Sequence, residues 1–268
     1  MGCAVVAMTW PHRVALDARA TGLPVESIRI DSLSGAKLAA WYLPGSPGQG
    51  AVLLLHGVRA TRQAMVERMR FLHEAGYATL AIDFQAHGES DGAAITFGRL
   101  ESLDARAAVA WLRRKSPRER LGAIGVSLGG AAALIGADPL DVDALVVESV
   151  YPDIERAIDD RLTGRFGALG HAIAPLFVAV GRRITGLDPE SLRPIDGLDK
   201  FSAPIFVMAG TLDRNTLIEE TREMFARARQ PKQYWEVEGA AHVDLEAFAR
   251  AAYRSRVLEF FAKTLRAQ

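Results

Sequence analysis

The segment LGAIGVSLGGAAALIG, residues 121–136, constrains the fold of this chain more than any other. An apolar, β-rich run leads into Gly125-Val126-Ser127-Leu128-Gly129-Gly130, and an Ala-rich run with high helix propensity follows. Glycines on both sides of one serine let the backbone turn sharply between strand and helix, because a residue without Cβ accepts conformations and close approaches that others cannot. The turn holds Ser127 clear of the sheet. A strand feeding directly into a helix in this way belongs to an α/β architecture.

The rest of the chain keeps that rhythm. Strand candidates are SIRIDS, KLAAWYL, AVLLLHG, YATLAID, LGAIGVS, ALVVES, PIFVMAG and KQYWEVEG. Several are unbroken Val/Ile/Leu runs rather than alternating ones, as expected for strands covered on both faces of a mostly parallel sheet. The first two are separated by residues 33–36, with Gly35 at a turn position, and read as a hairpin. Between later strands lie helical patterns. Leu100, Leu103, Ala107 and Trp111 fall on one face of a helix over residues 100–114, and Leu245, Phe248, Ala252 and Phe260 give the closing helix its apolar stripe.

At 268 residues the chain is just under two average domains long. One domain with an insertion fits better, because residues 151–200 carry no strand run and are too long for a simple connection. They read as a small helical cap after strand 6, and their glycines and prolines predict several short helices. Residues 1–24 read as an N-terminal extension and 25–268 as the domain.

A serine hydroxyl is a weak nucleophile at neutral pH; it needs a base within reach, and the base needs a third group to fix its tautomer. Two downstream strands end in loops that offer both. PIFVMAG is followed by Thr211-Leu212-Asp213, and KQYWEVEG by Ala240-Ala241-His242. Loops at the carboxyl edge of one sheet converge, so Ser127, Asp213 and His242 can meet as nucleophile, acid and base. Glu148, ending ALVVES, is the alternative acid. Acyl transfer also needs donors for the developing oxyanion. The N–H of Leu128 is one, and that of Val58, in the loop after AVLLLHG, is the other. His56 and His87 read as braces of their own loops. Arg59, Tyr151 and Phe177 are candidate pocket residues, the last within an apolar run over 172–180 that could cover an acyl chain.

Other chemistries find little support. Lys+Arg and Asp+Glu are 32 each, so the long-range attraction that supports a nucleic-acid partner is missing. The six histidines show no ligand spacing and the single cysteine, Cys3, rules out a multi-thiolate site, so no metal is expected. No glycine-rich phosphate-binding fingerprint is present, so no cofactor is expected either. No apolar run reaches the roughly 18 residues of a membrane span. The start, MGCAVVAMTW, lacks the basic leader of a signal peptide, which favours a cytoplasmic location; its Gly-Cys pair beside an apolar run leaves a trimmed leader or anchor as the alternative.

HGV at 56–58, DFQAHGES at 83–90, GVSLGG at 125–130, GTLD at 210–213 and the histidine of GAAHVD at 239–244 together resemble the ordered motifs of the α/β-hydrolase superfamily. The resemblance is to its serine-hydrolase branch of dienelactone-hydrolase-like and short-cap esterase proteins. It implies an eight-stranded, mostly parallel sheet flanked by helices, and a serine hydrolase acting on a small-molecule acyl substrate, by default a carboxylic ester. Amidase, peptidase and thioesterase activities use the same triad and stay open, as does a non-catalytic ligand-binding protein on the same fold. Gln85 and Ala86 depart from the frequent Asp-x-Arg-Gly-His-Gly-x-Ser form.

Overall fold

The computed structural model describes residues 2–266. Its central sheet has eight strands: β1 (Glu26–Asp31), β2 (Lys37–Leu43), β3 (Ala51–Leu55), β4 (Ala78–Ile82), β5 (Leu121–Val126), β6 (Ala144–Glu148), β7 (Ile205–Gly210) and β8 (Lys232–Val237). In space they run β8-β7-β6-β5-β3-β4-β2-β1. β1 pairs antiparallel with β2, and β2 with β4, while every other neighbouring pair is parallel. The chain turns from β3 to β4 on one side and returns to β5 on the other. Loops leaving β3 and β5 therefore diverge and open a crevice at the carboxyl edge, the usual ligand position in such sheets.

The apolar runs are explained by burial on both faces. Leu53 and Leu55 of β3 join a core cluster with residues of α3 (Glu101–Lys115), α4 (Leu128–Leu134), α7 (Pro194–Leu198) and α8 (Ile218–Arg227). Val52 and Leu54, on the opposite face, pack with α2 (Val66–Glu74), α9 (Leu245–Phe248) and α10 (Arg250–Thr264). Burying each such side chain stabilises the fold by about 1.5–3 kcal/mol.

Two helical stripes differ from the sequence pattern. In α3 the buried face is Ala105, Ala108, Val109 and Leu112, beside the stripe read from Leu100, Leu103, Ala107 and Trp111, which is only half-buried. The helix is rotated because Glu101 and Asp104 are also buried, where they accept hydrogen bonds from loop residues. The closing segment breaks at Ala249 into α9 and α10, leaving Phe248 and Ala252 exposed while Tyr253, Val257, Phe260 and Phe261 line the core.

Residues 151–200 are helical, but in fewer and longer pieces than their glycines and prolines predict. α5 (Ile154–Phe166) and α6 (Ala168–Thr185) form a hairpin, with Pro175 and Gly181 inside α6. At Gly170 a Cβ would lie 2.1 Å from the Leu162 carbonyl oxygen, so glycine there sets the closeness of the hairpin. The N-terminal segment contributes α1 (Gly2–Thr9), which packs on α6 and buries Val5. No helix among the described residues is long and apolar enough to cross a membrane.

Candidate active site

Ser127 sits alone between the end of β5 and the start of α4 with φ 49° and ψ −110°. Such a conformation costs a non-glycine residue about 1–3 kcal/mol and persists only where its surroundings enforce it. Here they do: the Ser127 N–H donates to the Glu148 carbonyl on β6 at 2.8 Å, and its carbonyl accepts from Ala131 at 3.0 Å. A Cβ on Gly129 would lie 2.2 Å from the Leu55 carbonyl oxygen, so only glycine lets α4 approach β3 this closely.

The loop after β3 faces this turn. Among the described residues, the N–H groups of Val58 and Leu128 have no hydrogen-bond partner, and both residues line one cavity with Ser127. Two buried histidines hold the loop in place. His56 donates from Nδ1 to the Gly57 carbonyl (2.7 Å) and accepts the Phe84 N–H at Nε2 (3.1 Å). His87 pairs Nδ1 with the Gln85 carbonyl (2.9 Å) and accepts the Arg59 N–H at Nε2 (3.2 Å). Burial lowers the pKa of His56 to about 3 and depresses that of His87, keeping both neutral as these bonds require. Gln85, where the motif departs from its frequent form, uses its side-chain amide to bind Glu101 and the Ala94 carbonyl.

Asp213 follows β7 and His242 follows β8. The fully buried Asp213 carboxylate accepts the N–H groups of Asn215 (2.8 Å) and Thr216 (3.0 Å) on Oδ1, and meets His242 Nδ1 at 2.8 Å with Oδ2. A proton on Nδ1 leaves Nε2 with a free lone pair. His242, Ser127, Gly57 and Val58 share the wall of a cavity of about 310 Å³. Glu148, the alternative acid, is otherwise engaged: it is held by Arg68 (Nη2–Oε2 2.8 Å) and by the Tyr253 hydroxyl. The same Arg68 Nη2 reaches Asp244 Oδ1 at 2.8 Å.

Arg59 and Tyr151 line the second cavity at Ser127, about 190 Å³, with Val58, Phe97, Ile154 and Ile158. Phe177 does not. It lines a smaller adjoining cavity of about 60 Å³ and the open cleft of about 810 Å³ beyond, and in the 172–180 run only Ala174 and Phe177 are buried while Leu176 is exposed. Sequence reading missed Arg161 of α5 and Met8 of α1, which both reach the Ser127 cavity. A lone arginine or methionine in a helix carries no signal of where the helix docks.

Residues 52–254 match the alpha/beta hydrolase family, and the chain belongs to it. Its relatives include the uncharacterized protein Rv2307c of Mycobacterium tuberculosis, 28% identical over 239 residues, with 88% of this chain and 78% of that protein covered. YfhR of Salmonella typhimurium is 24% identical over 268 residues, covering 92% and 85%. Among solved structures, the esterase Pf2001 of Pyrococcus furiosus superposes with a TM-score of 0.78 at 25% identity, over 96% of this chain and 98% of that one. A dienelactone hydrolase of Anabaena variabilis shares the fold, with a TM-score of 0.65, 21% identity and coverage of 90% and 98%.

Proposed function

We propose that this hydrolase cleaves carboxylic esters through an acyl-enzyme on Ser127, with His242 as base and Asp213 as acid. The observation that carries the reading is the shared cavity: a strained serine and His242, itself held by the buried Asp213, line it together. His242 Nε2 takes the proton as Ser127 Oγ attacks the acyl carbon, and Asp213 fixes the tautomer and stabilises the imidazolium. The unpartnered N–H groups of Val58 and Leu128 receive the oxyanion, a contribution of roughly 3–4 kcal/mol per donor. His242 then gives its proton to the leaving alcohol, and water repeats the sequence on the acyl-enzyme. Likeness to an esterase at 25% identity supports the ester as substrate. The apolar cavity beside Leu128 suits acyl chains of about four to eight carbons.

In folded protein a fluorophosphonate should label Ser127, and nitrophenyl butyrate should be hydrolysed. Ser127→Ala should abolish both. Labelling that persists in that variant, or hydrolysis undiminished by it, overturns the reading; a panel of matched ester, amide and thioester substrates tests the ester preference.

A further inference from the structure

We infer that the substrate ester carries an anionic group, phosphate or carboxylate, on its leaving-group side, held by Arg161 of the cap. The inference rests on the reading of Ser127 as nucleophile. Arg161 lines both cavities that meet at Ser127, and also the open cleft of about 810 Å³ beyond them. Among the described residues its guanidinium makes one hydrogen bond, from Nη1 to the Ala157 carbonyl of its own helix at 2.7 Å. Arg165 and Arg214 line the same cleft, and Arg59 stands at the Ser127 cavity, where it bonds the Ala7 carbonyl at 3.2 Å. Among the described residues none of these four arginines is in an ion pair.

Most acids nearby have other partners: Glu148 and Asp244 are bound to Arg68 and Asp159 meets His171 at 2.9 Å, while Asp160 faces Glu220 and also lies near Arg161 without forming an ion pair with it among the described residues. A chain with equal numbers of acidic and basic residues thus concentrates unpaired positive charge at the mouth of its site. The planar guanidinium, with its paired donors, favours carboxylate and phosphate oxygens, and a cleft lined by one sign of charge draws in the opposite one.

The side of the ester follows from what else lines each cavity. Apart from Arg59 and Arg161, the pocket beside Leu128 is walled mainly by apolar groups, among them Val58, Phe97, Tyr151 and Ile154, suited to an acyl chain. The arginine-lined cleft includes Asn215, which shares the other cavity with His242. His242 protonates the leaving group, so the leaving group lies on that side. Zero net charge on the whole chain, which suggests an uncharged substrate, conceals this local excess.

The test compares kcat/KM for 1-hexanoylglycerol, its 3-phosphate and hexanoylglycerate. At least one anionic ester should exceed the neutral one by about tenfold or more, with the advantage shrinking as salt is raised. Which anion is preferred separates the phosphate from the carboxylate source. Arg161→Gln should cut the anionic-to-neutral ratio about tenfold, Arg161→Lys by less, and Arg214→Gln, at an exposed position, should lower it as well. Equal turnover of neutral and anionic esters, or a ratio indifferent to Arg161→Gln, overturns the inference and leaves the esterase reading standing. Failure of all three substrates together with failure of Ser127 to react with a fluorophosphonate overturns that reading instead.

Discussion

Arg68 and Glu148, each about 1% exposed in their side chains, form a buried ion pair at 2.8 Å beneath the candidate catalytic centre. The same guanidinium reaches Asp244, two residues past His242, while the backbone carbonyl of Glu148 accepts the Ser127 N–H. One buried cation therefore ties the strand behind the Ser127 turn to the loop that carries His242. Burial opposes charging Arg68, yet the adjacent Glu148 and Asp244 hold its pKa well above the ordinary arginine value.

Arg68→Met should destabilise the protein by about 3–5 kcal/mol, because it leaves the Glu148 carboxylate buried without its partner. Urea denaturation measures the loss. The double variant Arg68→Met with Glu148→Leu should regain much of it, since no buried charge then remains. If Arg68 also positions the histidine loop, that double variant, though stable, should show a lower kcat with a smaller change in KM.

Asp213→Asn tests the proposed acid. Asn can still accept the Asn215 and Thr216 N–H groups, so the loop should keep its shape, but it no longer selects the Nδ1–H tautomer of His242. The expected outcome is a fall in kcat of about 10⁴ with an unchanged melting temperature. A loss below tenfold would turn attention to Glu148.

The sequence made the inner strands legible because burial on both faces demands continuous apolar runs; seven of the eight runs contain a strand of the sheet, and the eighth, SIRIDS, overlaps the edge strand β1, which begins one residue earlier at Glu26. The turn at Ser127 was legible because the glycines that a sharp strand-to-helix turn requires sit together in the sequence: a Cβ on Gly125 would lie 2.5 Å from the Gly130 nitrogen. Positions fixed by distant partners were not. The stripe on α3 was misplaced because Glu101 and Asp104 turn inward to bind residues on other segments, including Gln85. Arg68 gave no sign of its role, since its partners Glu148, Asp244 and Tyr253 lie 80, 176 and 185 residues away.

Gly88→Ala should be strongly destabilising. Gly88 has φ 50°, and a Cβ there would lie 2.0 Å from Asp83 Oδ2. Asp83 is the hub of the loop after β4: it pairs with Arg62 and accepts the Glu89 N–H at 2.9 Å. An added methyl must displace that carboxylate and adopt strained backbone at once. A loss of about 2 kcal/mol or more in chemical denaturation is expected.

The last prediction concerns pH and the cap. Asp160 of α5 and Glu220 of α8 face each other, and burial followed by the neighbouring Asp160 pushes the Glu220 pKa up to about 8. Burial likewise raises Asp160, which also lies near Asp213. In the unfolded chain both carboxyls titrate near pH 4. A group whose pKa is raised by folding contributes stability that is present at low pH and lost as pH climbs through the folded value. Below pH 8 a retained proton lets one carboxyl donate to the other and hold α5 against α8; above it two like charges repel across the contact. The melting temperature should therefore fall between about pH 5 and pH 8 and level off above that, with faster amide exchange in α5 at the alkaline end. Glu220→Gln keeps a donor and cannot ionise, so it should flatten that slope; a slope as steep as that of the parent protein would place the pH sensitivity elsewhere.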